Sequence, residues 1–282
     1  MLNDRIKSAQ AGSVFSLADA AAPRTELIAE TRYHLATRGY HVIEQFLTAA
    51  QCAALKAAYL PHLENFNAGD SERGQADRYH IHDLLARDIV FGRLLEDPRL
   101  DPLLEPMIGR NWIMYAFTTS SLPPGASNYG RRIHVDCPRF VPGYATNMGV
   151  IWALDDFTRE NGGTQLLPGS HHLPDTPDEA LFERHCQQVT CPAGSLIVVN
   201  ARVYHRSGFN HSGQWRHALT MNICRPYMKQ RLDWVRLIPS EIADRLNDRA
   251  RRLIGYDTRL PTSLEEFFVP EEQRLYKANQ EG

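Results

Sequence analysis

Residues 195–227 read SLIVVNARVYHRSGFNHSGQWRHALTMNICRPY. A β-branched apolar run up to Asn200 gives way to a polar loop rich in Gly, Ser and Asn, and a second apolar run opens at Ala218. That pattern predicts two strands joined through a polar connection. Similar short runs extend back to Asn111: WIMYAFTTSSL at 112–122, RIHVD at 132–136 and NMGVIWAL at 147–154. QLL at 165–167 follows Gly162-Gly163 and ends at Pro168-Gly169-Ser170, and QQVTC at 187–191 is closed by Pro192-Ala193-Gly194. Short strands bounded by turn residues at this spacing predict an antiparallel sandwich or barrel. Gly162, Gly163, Pro168 and Gly169 read as its turn residues, with Asn161 placed to hydrogen-bond the same loop.

The flanks follow a helical period. Thr25 is placed to cap a helix running to Arg38, with Gly39 as its stop. YHVIEQFL at 40–47 reads as a short strand, and Thr48 with Gln51 forms a capping box opening an alanine-rich helix to about Leu60. HDLLARDIVFGRLL at 82–95 has helical spacing and is ended or redirected by Pro98. Past the β region, Ser240 is placed to cap IADRLNDRARRLI at 242–254, Gly255 to stop it, and Thr262 with Glu265 to form a second capping box. No repeat or linker interrupts the chain. The expectation is one domain over 1–282, mainly β with flanking helices: N-terminal helices about 25–108, a β core about 111–227 and a helical tail about 228–282.

Composition narrows the function classes. With 282 residues and 43% hydrophobic content the chain can bury a sizeable core. The net charge of -2, with acids and bases interspersed, gives no support for a nucleic-acid partner. Five cysteines, Cys52, Cys137, Cys186, Cys191 and Cys224, form no CxxC pair, which predicts inert thiols in a reducing compartment. The run VFSLADAAA loosely suggests a signal peptide, but Asp19 breaks it. No stretch reaches the ~20 apolar residues of a membrane span, and the terminal Asn-Gln-Glu-Gly is not the peroxisomal Ser-Lys-Leu address. The expected location is cytoplasmic.

Chemistry-bearing residues lie around the β region. His134 and Asp136 are two apart in a segment that reads as a strand, where i and i+2 share a face, so an imidazole and a carboxylate could grip one ion. A second histidine from a distant strand would complete a two-His-one-carboxylate facial triad, whose open positions suit Fe(II) oxygen chemistry. His80 with His82 falls at a loop-to-helix transition where that spacing diverges, and His171-His172 follows a Pro-Gly-Ser turn expected at the surface. His205 stands out because an antiparallel return after it would bring Arg216 close, and arginine's fork of donors suits a carboxylate. His211 and His217 read as surface or supporting residues.

HVD, NGGTQLLPGSHH, AGSLIVVN and HRSGFNHSGQWR together resemble the phytanoyl-CoA dioxygenase-like (PhyH) family of Fe(II)/2-oxoglutarate-dependent oxygenases. The resemblance covers roughly 26–230, with the motifs between 131 and 227 in the expected order. It implies a double-stranded β-helix (jelly roll, cupin-like) core and the cofactors Fe(II), 2-oxoglutarate and O2. It also implies that His134, Asp136 and His205 are the iron ligands and that Arg216 pairs with the far carboxylate of 2-oxoglutarate. Ser207 matches a position that hydrogen-bonds the cosubstrate. Trp152 matches an aromatic contact near it, core packing being the alternative. The carboxylate at Asp136 favours hydroxylation over chlorination, since related halogenases carry a small non-coordinating residue there.

The implied reaction is hydroxylation of an unactivated C–H of a small metabolite, with release of succinate and CO2. Desaturation, epoxidation or cyclisation would use the same centre. Arg131, Arg132, Arg139, Tyr144 and Tyr79 are candidates for holding an anionic substrate, solvated surface charge being the alternative for the arginines. Two rivals use the same residues differently: a non-catalytic jelly-roll ligand-binding protein, and a zinc hydrolase, which would not need Arg216 and lacks an accompanying HExxH.

Overall fold

The computed structural model describes residues 14–15, 22–63 and 79–277; residues 16–21 of the VFSLADAAA run at 14–22 and the C-terminal tetrapeptide lie outside the described residues. Helix α1 (Thr25–Thr37) leads through Gly39 into strand β1 (Tyr40–Ile43). Helix α2 (Ala49–Leu63) follows, then α3 (Leu84–Arg87), α4 (Ile89–Glu96) and α5 (Leu100–Ile108). The β region holds β2 (Ile113–Thr119), β3 (Asn147–Ala153), β4 (Gln165–Leu166), β5 (Gln187–Gln188), β6 (Leu196–Asn200), β7 (His205–Arg206) and β8 (Ala218–Cys224), with helix α6 (Glu179–His185) between β4 and β5. Four short helices close the chain: α7 (Trp234–Leu237), α8 (Ser240–Ala243), α9 (Asp248–Ile254) and α10 (Leu264–Phe267).

The strands form two antiparallel sheets, one of five strands ordered β1-β6-β3-β8-β2 and one of three ordered β5-β4-β7. Side chains alternate across the large sheet, and its faces differ in character. Met148, Val150, Trp152, Leu196, Val198, Leu219, Met221 and Ile223 face the helices and merge with Leu35, Leu55, Phe91 and Leu253 into the main core. Ala153, Ile197, Val199 and Ala218 face the other way and pack with Phe157, Leu166, Val189 and Val203. The layers are therefore helices, large sheet and small sheet. Helices occupy more of the described chain than strands do, so the expected mainly β chain is a mixed α/β one.

Local chemistry explains most boundaries. The Thr48–Gln51 capping box forms in both directions: Thr48 N donates to Gln51 Oε1 at 2.9 Å and Gln51 N to Thr48 Oγ1 at 3.2 Å. Thr25, by contrast, is the first helical residue and Arg24 precedes it with no side-chain cap. The single helix expected over 82–95 is two, because Asp88 takes an extended conformation and caps the second through Val90 N. In the tail Ser240 opens a helix rather than capping one, and Asn247 caps a separate helix that ends at left-handed Gly255. The last cap is Ser263, with Glu266 reaching back to Thr262, one residue along from the expected pair. RIHVD is not a strand; only His134 pairs, in an isolated bridge to His205. All five cysteines are free and four are buried. Among the described residues no helix is long and apolar enough to cross a membrane.

Gly39 ties α1 to the sheets. Its φ is +83°, and a Cβ there would lie 2.3 Å from Val203 Cγ2 and 2.5 Å from His171 Nδ1. His171 is consequently buried under α1, with Nε2 on the Ala36 carbonyl, not at the surface as its turn context suggested. We expect Gly39→Ala to lose about 2–5 kcal/mol from left-handed strain plus overpacking, read as a lower urea midpoint; an unchanged midpoint would show that the turn can relax.

Candidate metal and anion site

His134 and His205 are opposite residues of an antiparallel bridge. Each backbone N–H donates to the other's carbonyl, at 3.0 and 2.9 Å. This reciprocal pair puts both side chains on one side, with ring centroids 4.3 Å apart. Asp136 is held two residues on by its N–H donating to Ala201 O at 3.0 Å. The carboxylate Oδ1 then lies 3.7 Å from His134 Nε2 and 3.9 Å from His205 Nε2, and the three donor atoms fall within 4.8 Å of one another.

The other ring nitrogens decide what these imidazoles can do. His134 Nδ1 lies 2.8 Å from the Arg132 carbonyl and His205 Nδ1 2.9 Å from the Val203 carbonyl. A carbonyl only accepts, so each Nδ1 carries a proton, and in the neutral ring each Nε2 then directs its lone pair to the side of the carboxylate. Burial, and next the neighbouring His205, push the His134 pKa down, against an opposing pull from Asp136. Two neutral imidazoles and one carboxylate, oriented by carbonyl partners, could hold one Fe(II) and fit a facial triad. Asp136 Oδ2 faces Asn222 Nδ2 at 3.4 Å, and Asn222 Oδ1 accepts from Asn147 Nδ2 at 3.0 Å. Cys137 turns inward to Thr146 Oγ1 at 3.1 Å, away from the ligand atoms.

Arg216 is 1% exposed. It shares the inner parity of Ala218, Thr220 and Asn222 along β8, and its backbone pairs with Leu122 rather than with His205. The guanidinium lies 4.4 Å from the Phe157 ring centroid and makes two long bonds of 3.4 Å, to Ser120 O and Gly162 O. Its Nε has no hydrogen-bond partner. The carboxylate of Asp155 is engaged elsewhere, by Lys56 Nζ and by His217 N. Burial lowers the Arg216 pKa to about 10, partly offset by Tyr59 and Asp155. A buried guanidinium with an idle donor fits a carboxylate of a bound ligand. A run of hydrogen bonds leads from Ser120 to Ser207, two residues after His205: Ser120 Oγ accepts from Asn128 Nδ2 at 3.5 Å, Asn128 Oδ1 from Gly130 N at 3.0 Å, and Gly130 O from Ser207 N at 2.7 Å.

The other expected residues separate. Ser207 Oγ stands over Gly130, where a Cβ would be 2.8 Å away. Trp152 points to the helical side and packs in the core beside Phe117, on the opposite sheet face from Asn222, with its Nε1 lacking a partner. Tyr79 packs edge-on against Trp215, again on the helical side. Arg131, Arg132 and Arg139 are exposed, Arg131 lying over the Phe209 ring. Tyr144 sits under the Arg225 guanidinium and bonds Tyr227 Oη at 3.0 Å. His217 is buried, bonded to Ser121, with its pKa pushed to about 4 by burial. Asn128 and Asn222 were missed. Asn222 carried a signal, a polar residue inside an apolar strand at Arg216's parity; Asn128, in a loop, carried none.

The phytanoyl-CoA dioxygenase (PhyH) family model matches residues 35–218. The chain is similar to the uncharacterized protein Rv1501 of Mycobacterium tuberculosis, 30% identical over 250 residues, 86% of this chain and 92% of the relative. It is 27% identical to dioxygenase FrzG of Cladobotryum sp over 261 residues, 79% of this chain and 83% of the relative. Among solved structures it is similar to EvdMO1, with a TM-score of 0.58 and 25% identity, covering 71% of this chain and 50% of that one.

Removing an unpaired buried charge should relieve its desolvation cost. We expect ligand-free Arg216→Met to unfold at an equal or higher urea concentration than the unaltered protein. A clear loss of stability would mean that the guanidinium is a structural strut.

Proposed function

Because this chain belongs to the phytanoyl-CoA dioxygenase (PhyH) family, whose enzymes use Fe(II), 2-oxoglutarate and O2, we propose that it hydroxylates a C–H bond of a small metabolite, releasing succinate and CO2. His134, Asp136 and His205 hold the iron in this reading, and Arg216 takes the far carboxylate of 2-oxoglutarate. The observation that carries it is the pair of Nδ1-anchored imidazoles turned on one carboxylate, with a buried, idle guanidinium on the same side of the large sheet. The two antiparallel sheets, with this cluster between them, are read as the halves of a double-stranded β-helix within a single domain.

Iron, when bound, supplies the oxidising chemistry; the protein contributes position and exclusion of water. Counting formal charges, Fe(II), one carboxylate and the 2-oxoglutarate dianion leave one excess negative charge, which Arg216 neutralises. The pairing is strong because Arg216 is buried, and it fixes which end of the cosubstrate faces the metal. Hydrogen bonds among Ser120, Asn128, Gly130 and Ser207 brace the loop that carries Ser207, whose Oγ is the side-chain donor offered to the cosubstrate. Trp152, on the far face, is left out of the cosubstrate contacts. Desaturation, epoxidation or cyclisation would draw on the same centre, and the choice among them lies with the substrate.

Anaerobic addition of Fe(II) and then 2-oxoglutarate should produce a visible charge-transfer band; none appearing would favour the non-catalytic binding protein. Asp136→Gly should abolish hydroxylation, read as succinate release with product mass, and full activity in that variant would remove Asp136 from the ligands. For Arg216→Met we expect 2-oxoglutarate affinity to fall about 100-fold or more, the consequence of leaving one partner of a buried charge pair alone. The exposed Arg131, Arg132 and Arg139, with Tyr144 at the rim, are proposed to hold an anionic substrate. Substituting each arginine should raise the substrate KM and leave kcat near its original value, whereas unchanged KM values would make them plain surface charges.

A further inference from the structure

A second set of donors stands on the outer side of α1, remote in sequence from the cluster described above. Glu30 and His34 are one turn apart on α1, and His41 lies on β1, the edge strand of the large sheet. Glu30 Oε1 is 3.7 Å from His34 Nε2 and 4.0 Å from His41 Nε2. The two imidazole centroids are 4.8 Å apart. All three donor atoms lie within 4.8 Å of one another. These separations almost repeat the 3.7 and 3.9 Å at Asp136. A tetrahedral ion at ~2.1 Å from each ligand needs donor separations of ~3.4 Å. Glu30 is exposed at the helix surface, and a rotamer adjustment can bring its carboxylate closer to both rings.

The ring chemistry agrees. His41 Nδ1 lies 3.0 Å from Thr31 Oγ1, and in the tautomer with the proton on Nδ1 its Nε2 keeps a lone pair for an ion. His34 Nδ1 is buried with no hydrogen-bond partner, so Nε2 is the nitrogen through which this ring can act. A cavity of about 310 Å³ opens beside the rings and is lined by His34, Arg38, Tyr40, His41 and Gln187. It leaves room for water or a small anion on the remaining positions of an ion, with Arg38 among the lining residues.

We infer that Glu30, His34 and His41 form a second metal site, independent of the PhyH-type centre, that takes a divalent transition ion such as Zn(II). Two imidazoles and one carboxylate select such an ion over Mg(II) or Ca(II), which seek oxygen ligands. Bound there, the ion clips α1 to the edge strand β1 and stabilises the junction around Gly39.

The test is Zn(II) binding by equilibrium dialysis with metal analysis, using the full chain and a His134→Ala/His205→Ala variant in which the first cluster is removed. The unaltered protein should bind two equivalents and the double variant one. Adding Glu30→Gln or His34→Ala to the double variant should weaken the remaining equivalent by about 100-fold or more, beyond the effect of losing an outer partner of a metal ligand. Glu30 is exposed, so its replacement keeps the fold, and circular dichroism checks this for both. Zinc should also raise the melting temperature of the double variant and not of the triple ones. A double variant that binds no zinc, or triple variants that bind as tightly as their parent, would overturn the inference. One equivalent in both the unaltered protein and the double variant would instead retain this site and count against the triad at 134, 136 and 205.

Discussion

The reciprocal backbone bridge between His134 and His205 is the constraint on which the candidate centre depends. It makes two residues seventy-one positions apart face each other within one hydrogen-bonded pair. The carbonyls of Arg132 and Val203 then take the Nδ1 protons, so side-chain direction and tautomer are both set by main-chain atoms. Main-chain atoms do not change when side chains vary, which makes this a robust way to hold a donor pair. The small sheet keeps the bridge in place, because β7 begins at His205 and pairs with β4.

Around it the loops are fitted closely. A Cβ on Gly208 would lie 2.8 Å from Gly162 Cα and from Gly163 O, so the HRSGFN loop and the NGG turn touch through their backbones. Asn161 bridges to Asn210 and holds its own turn through Thr158 N and Asp156 O. Motifs that read as separate turns in the chain thus form one packed wall, and Arg216 bonds to that wall through Gly162 O.

Much of this was legible in the sequence. Short apolar runs bounded by turn residues located seven of the strands, the Thr48–Gln51 box marked α2, and Gly39 and Gly255 marked helix ends, because each signal is local. The HxD pair and His205 were legible as residue types, but the reason they meet is a long-range bridge that no local period encodes, and RIHVD read as a strand for that reason. Trp152 was legible only as one of two outcomes, since which sheet face a residue takes depends on register. The break at Asp88 was missed because a capping aspartate inside an apolar periodic run looks like a solvent-facing position. The arginine's isolation could not be read at all: it consists of what Asp155 does with Lys56 and His217 N instead.

The large sheet divides its two faces between separate tasks. Bulky Met148, Val150, Trp152, Leu219 and Met221 sit against the helices, while Gly149, Ala153, Ala218, Thr220 and Asn222 alternate with them on the inner side. Most of the burial that favours folding therefore lies on one side of a layer whose other side carries Asn222, the partner of Asp136. The inner side is thereby left largely outside the main core, although Ala153, Ile197, Val199 and Ala218 still pack a smaller one there. Changes at the half-buried Ile151 and Thr220 would alter that inner surface, whereas a side chain at Gly149 would meet Val199 Cγ1 at 2.7 Å and the residues one position along in either strand belong to the fold itself.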